Sequence, residues 1–242
     1  MTDIESRTAA HQPRPSSSVA QRRRTGVVLM ASGVIYFAAE FIAAAAWTDP
    51  PYSYTHHFIS DLGVHGPSTG FGQYMHSPLA WVMNAGFILF GITAFSGVAM
   101  TKGLPGGRRW AAIVLAALLA AGVALVGTFP GSGEALEDGT AVYHGLGAFA
   151  AFVGGNALLI LLGRSYRSIG VSRGRGRALV VLGALGFVSL VAFMAVLSSE
   201  GGVLIGLVER GVVYPIVIGL IGVGAALPKL RTSTGTHVSR RS

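Results

Sequence analysis

Six long apolar runs, with basic residues in every second gap between them, constrain this chain more than any other feature. The runs cover residues 26–47, 78–100, 110–129, 140–162, 178–197 and 206–227. About 20 apolar residues at 1.5 Å per residue cross the ~30 Å hydrocarbon core of a bilayer as a helix, and each run is long enough. Arg7, Arg14, Arg22, Arg23 and Arg24 precede the first run. Lys102, Arg108 and Arg109 follow the second, and Arg164, Arg167, Arg173, Arg175 and Arg177 follow the fourth. Lys229, Arg231, Arg240 and Arg241 follow the last, so that only Arg210 breaks the pattern. Basic residues in alternate connectors mark the cytoplasmic side. The expected fold is all-α: a polytopic bundle of six transmembrane helices with both termini cytoplasmic, in the plasma membrane. Residues 26–228 would form the membrane domain, with disordered cytoplasmic tails at 1–25 and 229–242. The first run exceeds the 7–15 residues of a signal-peptide core, which favours a retained helix.

The placement of the charges also decides what the net charge of +8 means. A topology signal that attracts anionic lipid explains it, and nucleic acid is not an expected partner. Only 12% of residues are charged, against about 25% in soluble domains. The chain has no cysteine, which excludes disulfides and thiolate metal sites. Its 35 glycines suit closely packed membrane helices.

The acids and histidines gather on the side opposite the arginines. The stretch 50–66, PPYSYTHHFISDLGVHG, is the densest. If residues 53–63 form a short helix, His56 lies four residues from Ser60, and His57 four from Asp61. Such pairs share a face. His57 with Asp61 fits a pair of zinc ligands, and His56 with Ser60 fits a base and nucleophile that need a third group to orient the imidazole. The plain alternative is that these side chains close the loop on itself. Glu134, Glu137 and Asp138 precede the fourth run, where the helix dipole favours acids. His144 lies about one turn inside that run and could complete a metal site with His56, His57 and Asp61.

Glu40 falls within the first run and Arg210 within the last. An intramembrane acid needs a partner or a cavity. The expectation is an interhelical ion pair between them, with Glu209 turned toward water. Asn84 and Asn156 are expected to hydrogen-bond across helices. Trp47, Tyr52, Tyr54, Trp81, Tyr143 and Tyr214 read as an interfacial aromatic belt. Phosphate-binding loops, dinucleotide fingerprints and the common hydrolase motifs are absent from the sequence.

The pattern Tyr52, Ser53, His57, Ile59, Ser60, Asp61, Leu62, Gly63 resembles the signature of the bacterial and archaeal membrane proteins grouped as domain of unknown function 998. Gly206, Leu207, Glu209 and Arg210 resemble a second segment of that family, which opens its last helix. The resemblance implies six helices with this loop after the first, over about residues 26–228. It implies no reaction.

Three classes of function remain open on these residues. One is a hydrolase or transferase acting at the outer face on a lipid-like substrate. Its metal, such as zinc, would be held by His56, His57, Asp61 and His144, with Ser60, Glu137 or Asp138 as catalytic groups. Another is a proton-coupled transporter using Glu40, Arg210 and His144. The last is an accessory protein whose loop docks a periplasmic or membrane partner. Each depends on the sidedness read from the arginines. Reporter fusions placed after Gly66 and after Gly174 should report opposite sides of the membrane, and a common side would remove the basis of all three.

Overall fold

The computed structural model describes residues 17–199 and 204–227. Its helices are α1 (Ser17–Ala46), α2 (Ala80–Met100), α3 (Gly106–Thr128), α4 (Gly133–Asp138), α5 (Ala141–Arg164), α6 (Tyr166–Ile169), α7 (Arg173–Leu197) and α8 (Ile205–Ala226). Strands β1 (Ser68–Gly70) and β2 (Gln73–Met75) pair antiparallel between α1 and α2. Six of the helices contain apolar stretches of 21 to 28 residues, enough to cross a bilayer. The protein is therefore an all-α, multi-pass membrane protein whose outer surface meets lipid.

Local chemistry sets many of the boundaries. Pro105 precedes α3, and Ser132 and Ser172 cap α4 and α7 by accepting the N–H of Ala135 and Arg175. Gly139 and Gly170, both in the left-handed region, end α4 and α6. The first helix begins at Ser17, ahead of the expected start at residue 26. Arg22 gives a reason, because its guanidinium donates to the carbonyls of Ile169 (2.9 Å) and Leu227 (3.5 Å) and so holds this extra helix against α6 and α8. Residues 1–16 and 229–242 of the expected tails lie outside the described residues.

The spanning helices form a closed ring. Each packs on the next in sequence, α1 on α2, α2 on α3, α3 on α5, α5 on α7 and α7 on α8, and α8 returns to α1. Sequential neighbours joined by short connectors run antiparallel. At one end the α1–α2 connector, the α3–α5 connector and the first turn of α8 touch one another: Gly133 N–H donates to Ser68 Oγ, and Leu207 N–H to the Thr55 carbonyl. At the other end, Arg22 reaches α6 and Arg109 reaches the carbonyls of Thr101 and Ala99. The 50–66 loop and the arginine-bearing link before α7 are thus at opposite ends.

Helices α5 and α7 approach closely where Gly183 and Gly186 face Asn156 and Ile160, because a Cβ at either glycine would collide with α5. Asn156 donates to the Val212 carbonyl on α8 at 3.2 Å, an interhelical bond of the expected kind. Asn84 instead reaches out of the bundle and donates to the Gly63 carbonyl at 2.9 Å. The expected aromatic belt divides. Trp81 and Tyr143 are exposed, whereas Trp47 is buried and Tyr214 bonds to Glu40.

Candidate functional site

The loop after α1 folds over one arginine. Arg210 Nη1 donates to the carbonyls of Tyr54 (2.7 Å), His57 (3.2 Å) and Gly206 (3.0 Å). Its Nη2 donates to Glu40 Oε1 at 3.0 Å and to the Tyr52 hydroxyl. The guanidinium carbon lies 4.9 Å from the centre of the Tyr54 ring and 5.6 Å from that of Tyr52, both within cation–π range. Tyr214 donates to Glu40 Oε1 at 2.9 Å, so α1, α8 and the loop meet at this cluster. Gly206 allows the contact, since a Cβ there would strike the His57 carbonyl.

The residues of the loop signature act mainly on its own backbone. The Tyr52 hydroxyl donates to the Phe58 carbonyl at 3.0 Å, and burial keeps that phenol protonated by pushing its pKa up. His57 Nδ1 accepts the Ser53 N–H at 2.9 Å while its ring stacks on Tyr52 and packs on Trp47. Burial first, then the charges of His56 and Arg210, holds its pKa below the ordinary imidazole value, which keeps Nδ1 free to accept. Asp61 Oδ2 accepts the Phe58 N–H at 2.9 Å. The expected helix over residues 53–63 is replaced by turns and one 3-10 turn, Ser60–Gly63. In this shape His57 turns back to Ser53 and does not face Asp61.

Glu209 is the largest departure from expectation. It was expected to face water, yet it is buried, and its Oε2 accepts the Ile59 N–H. The loop backbone supplies donors that nothing else satisfies, and an extended backbone segment over a membrane helix must find acceptors there. Glu40, Asp61 and Glu209 are three buried carboxyls beside one buried cation. Burial, and then the charge of Glu209, pushes the Asp61 carboxyl well above the usual carboxylate range. One guanidinium stands beside three carboxyls in a medium of low dielectric, which disfavours the ionised form of Asp61.

Beneath the loop lies a cavity of about 140 Å³ whose lining includes Ser60, Asp61, His144 and Glu209. An adjoining space of about 40 Å³ in the centre of the ring shares Ser60, His144 and Glu209 and ends at Tyr36, Phe90 and Leu119. The Tyr36 hydroxyl is buried there without a hydrogen-bond partner among the described residues. His144 bonds through Nδ1 to the Phe129 carbonyl at 2.8 Å. A carbonyl only accepts, so Nδ1 carries the proton and Nε2 keeps its lone pair. Ser60 is half-buried, and among the described residues its hydroxyl makes no hydrogen bond.

The sequence-stated candidates therefore separate. Ser60, Asp61 and His144 line one cavity, and Glu40 and Arg210 are paired behind it. His56 is exposed and engages Ser53 and Thr55. Among the described residues no three His, Asp or Glu side chains are grouped to hold one metal ion, because His57 and His144 are each turned to backbone. Glu137 and Asp138 are exposed and do not line the cavity; Asp138 is lowered in pKa by the Thr140 hydroxyl and N–H that it accepts. Glu134 instead accepts from Ser68, which docks the hairpin on α4. Sequence reading missed Glu209 and Tyr36 as cavity residues. The available signal for Glu209 was that an acid one turn into an apolar run is costly unless it is bonded.

The family model described as "Protein of unknown function (DUF998)" matches residues 30–226. No curated protein and no solved structure matches the chain.

Two outcomes test this geometry. Arg210→Ala leaves Glu40 buried and the Tyr54 and His57 carbonyls without their donor. It should cost about 3–5 kcal/mol, read as a lowered melting temperature in detergent, and Glu40→Gln, which keeps an acceptor, should cost less. The pH effect at His57 has a definite sign. The unfolded chain protonates this residue near the ordinary value of about 6.5, whereas the folded loop does so only at lower pH. Stability is therefore full above about 6.5 and falls as pH drops through the folded value. Proteolysis of the 50–66 loop should accelerate between pH 7.5 and 5, and His57→Phe should remove that acid sensitivity.

Proposed function

We propose that this chain, which belongs to the DUF998 family over residues 30–226, is a membrane-embedded acyl hydrolase or acyl transferase acting on a lipid-like substrate. The observation that carries the reading is the shared cavity of Ser60, His144, Asp61 and Glu209 at the loop-capped end of the ring. The arginine pattern supports an orientation with that end on the outer face of the plasma membrane.

Ser60 is the nucleophile and His144 the base. His144 Nε2 takes the Ser60 proton as Oγ bonds to the substrate carbonyl carbon. Phe129 plays the orienting part by holding Nδ1–H at 2.8 Å. As the tetrahedral intermediate collapses, the ester C–O bond breaks and the leaving alkoxide takes the proton from His144. Water or a second alcohol then attacks the Ser60 ester by the same proton route, which releases the acid or a new ester. A protonated Asp61 or Glu209 donates a hydrogen bond to the developing oxyanion. The reading needs no metal, and the dispersal of His56 and His57 from the cavity fits that.

Transport has less support. Beyond Tyr36 the buried interior is lined by Leu29, Phe90, Leu158 and Leu162, with no ionisable group among them to continue a proton path. The accessory reading, which would dock a partner through Tyr52, Tyr54 and Phe58, keeps only Tyr54 as an exposed ring, since Phe58 is buried and Tyr52 is engaged by Arg210.

A fluorophosphonate probe should label the purified protein at Ser60. Labelling should vanish in Ser60→Ala and fall by about 10²–10⁴ in His144→Ala. Labelling that is absent, or indifferent to both changes, would sink the reading.

A further inference from the structure

The residues at the edge of the cavity also face outward. Phe149 on α5, and Met194 and Leu197 on α7, line it while being 52%, 40% and 41% exposed. They lie on bilayer-facing surfaces of spanning helices, so the opening between α5 and α7 gives onto lipid. Phe149 lies eight residues into α5, about 12 Å below its first residue at 1.5 Å per residue. The opening thus extends from the rim down the side of the bundle. Phe152 and Phe193 line it beside the polar groups.

Phe71 stands over the same opening. It lines the cavity from the tip of the β-hairpin, and its ring packs on Phe58 with centroids 6.0 Å apart. Its φ is +50° and that of Gly72 is +73°, so both central residues of this two-residue turn are left-handed. A phenylalanine in that region is unusual and costly. The hairpin is itself anchored by Ser68 to Glu134 and Gly133. A strained position that holds an aromatic ring at a cavity mouth points to use of the ring there.

The polar end has a definite charge character. Among the described residues no lysine or arginine lines it. The nearest guanidinium, Arg210, spends both Nη groups on the loop carbonyls, Glu40 and Tyr52. An anionic headgroup would lose its water beside Asp61 and Glu209 and gain no cation, which is a large desolvation penalty. An uncharged ester or hydroxyl loses far less and can bond to Ser60, His144 Nε2 and a protonated carboxyl.

We propose that the cavity takes a neutral acylglycerol sideways from the bilayer, between α5 and α7, with its uncharged head at Ser60 and His144 and Phe71 over the entrance. This rests on the acyl-transfer reading for its purpose, but its own test is binding. A cavity of about 140 Å³ is far smaller than a whole diacylglycerol, so the head and the start of one chain enter it and the rest stays in the leaflet.

The experiment uses the full chain as Ser60→Ala, in nanodiscs doped with dioleoylglycerol or dioleoylphosphatidylglycerol, and native mass spectrometry counts retained lipid. Dioleoylglycerol should be retained at least about tenfold over the anionic lipid, a difference of about 1.4 kcal/mol. Gly145 lines the mouth, and no atom lies within 4 Å of a Cβ built there, so Gly145→Trp should fold and block entry. Met194→Trp does the same from the facing helix. Either variant should remove the preference at an unchanged melting temperature. Equal or greater retention of phosphatidylglycerol would overturn the proposal, as would undiminished dioleoylglycerol in both tryptophan variants. Binding with no Ser60 labelling would leave this inference standing and remove the acyl-transfer reading. Labelling without selective binding would do the reverse.

Discussion

A guanidinium buried at the end of a membrane bundle is cut off from bulk water, and its donors turn to protein. Arg210 meets this demand with carbonyls of the loop after α1, a carboxylate from α1 and a tyrosine hydroxyl. The same bonds bring the first helix, the last helix and the polar loop together. The ring of helices closes between α1 and α8, and at the loop-capped end this cluster joins the two. A buried pair of this kind is weak ground for net stability, since desolvation opposes the attraction. Its effect is specificity: one loop conformation satisfies both Nη groups.

That conformation has consequences for Glu209. With its neighbour Arg210 turned to the loop, Glu209 lies under the backbone of Ile59 and accepts its N–H. Asp61 does the same for Phe58. Two acceptors that hold the loop in place are therefore also two carboxyls at a cavity wall. Under the acyl-transfer proposal, the side chains that hold the loop would also serve the chemistry. Buried acids outnumber the one cation at this wall, and His144 lines the same space, which is what the acyl-transfer proposal draws on. Aromatic and aliphatic side chains make up the remainder of the lining, which suits a substrate whose greater part is hydrocarbon.

The arrangement of the signature residues explains why motif spacing misled. On a regular helix, His57 and Asp61 would share a face. In the actual turns, each finds a backbone N–H within its own loop, at Ser53 and Phe58. A short polar segment with no apolar periodicity has little to hold it helical, and its conformation follows the partner it packs on. Here that partner is the first turn of α8, more than a hundred residues away in sequence. Ser60 is the exception, since it lines the cavity and its hydroxyl has no protein partner among the described residues.

Hydropathy and the distribution of arginine determined the six spans, because a bilayer imposes length and composition one helix at a time, without reference to the neighbours. They determined the α1–α2 loop as the polar centre for the same reason. The pairing of Glu40 with Arg210 was also legible, since an acid and a base in apolar runs have few ways to be satisfied. Tertiary structure alone decided that Glu209 turns inward, that Phe71 of a hairpin lines the cavity, and that His144 lines the same cavity as Ser60 while His56 does not. These depend on which helix lies beside which, and on backbone donors that become unsatisfied only when the loop is laid over α8. A sequence lists the side chains able to answer such a demand, but the demand arises only in the packed ring.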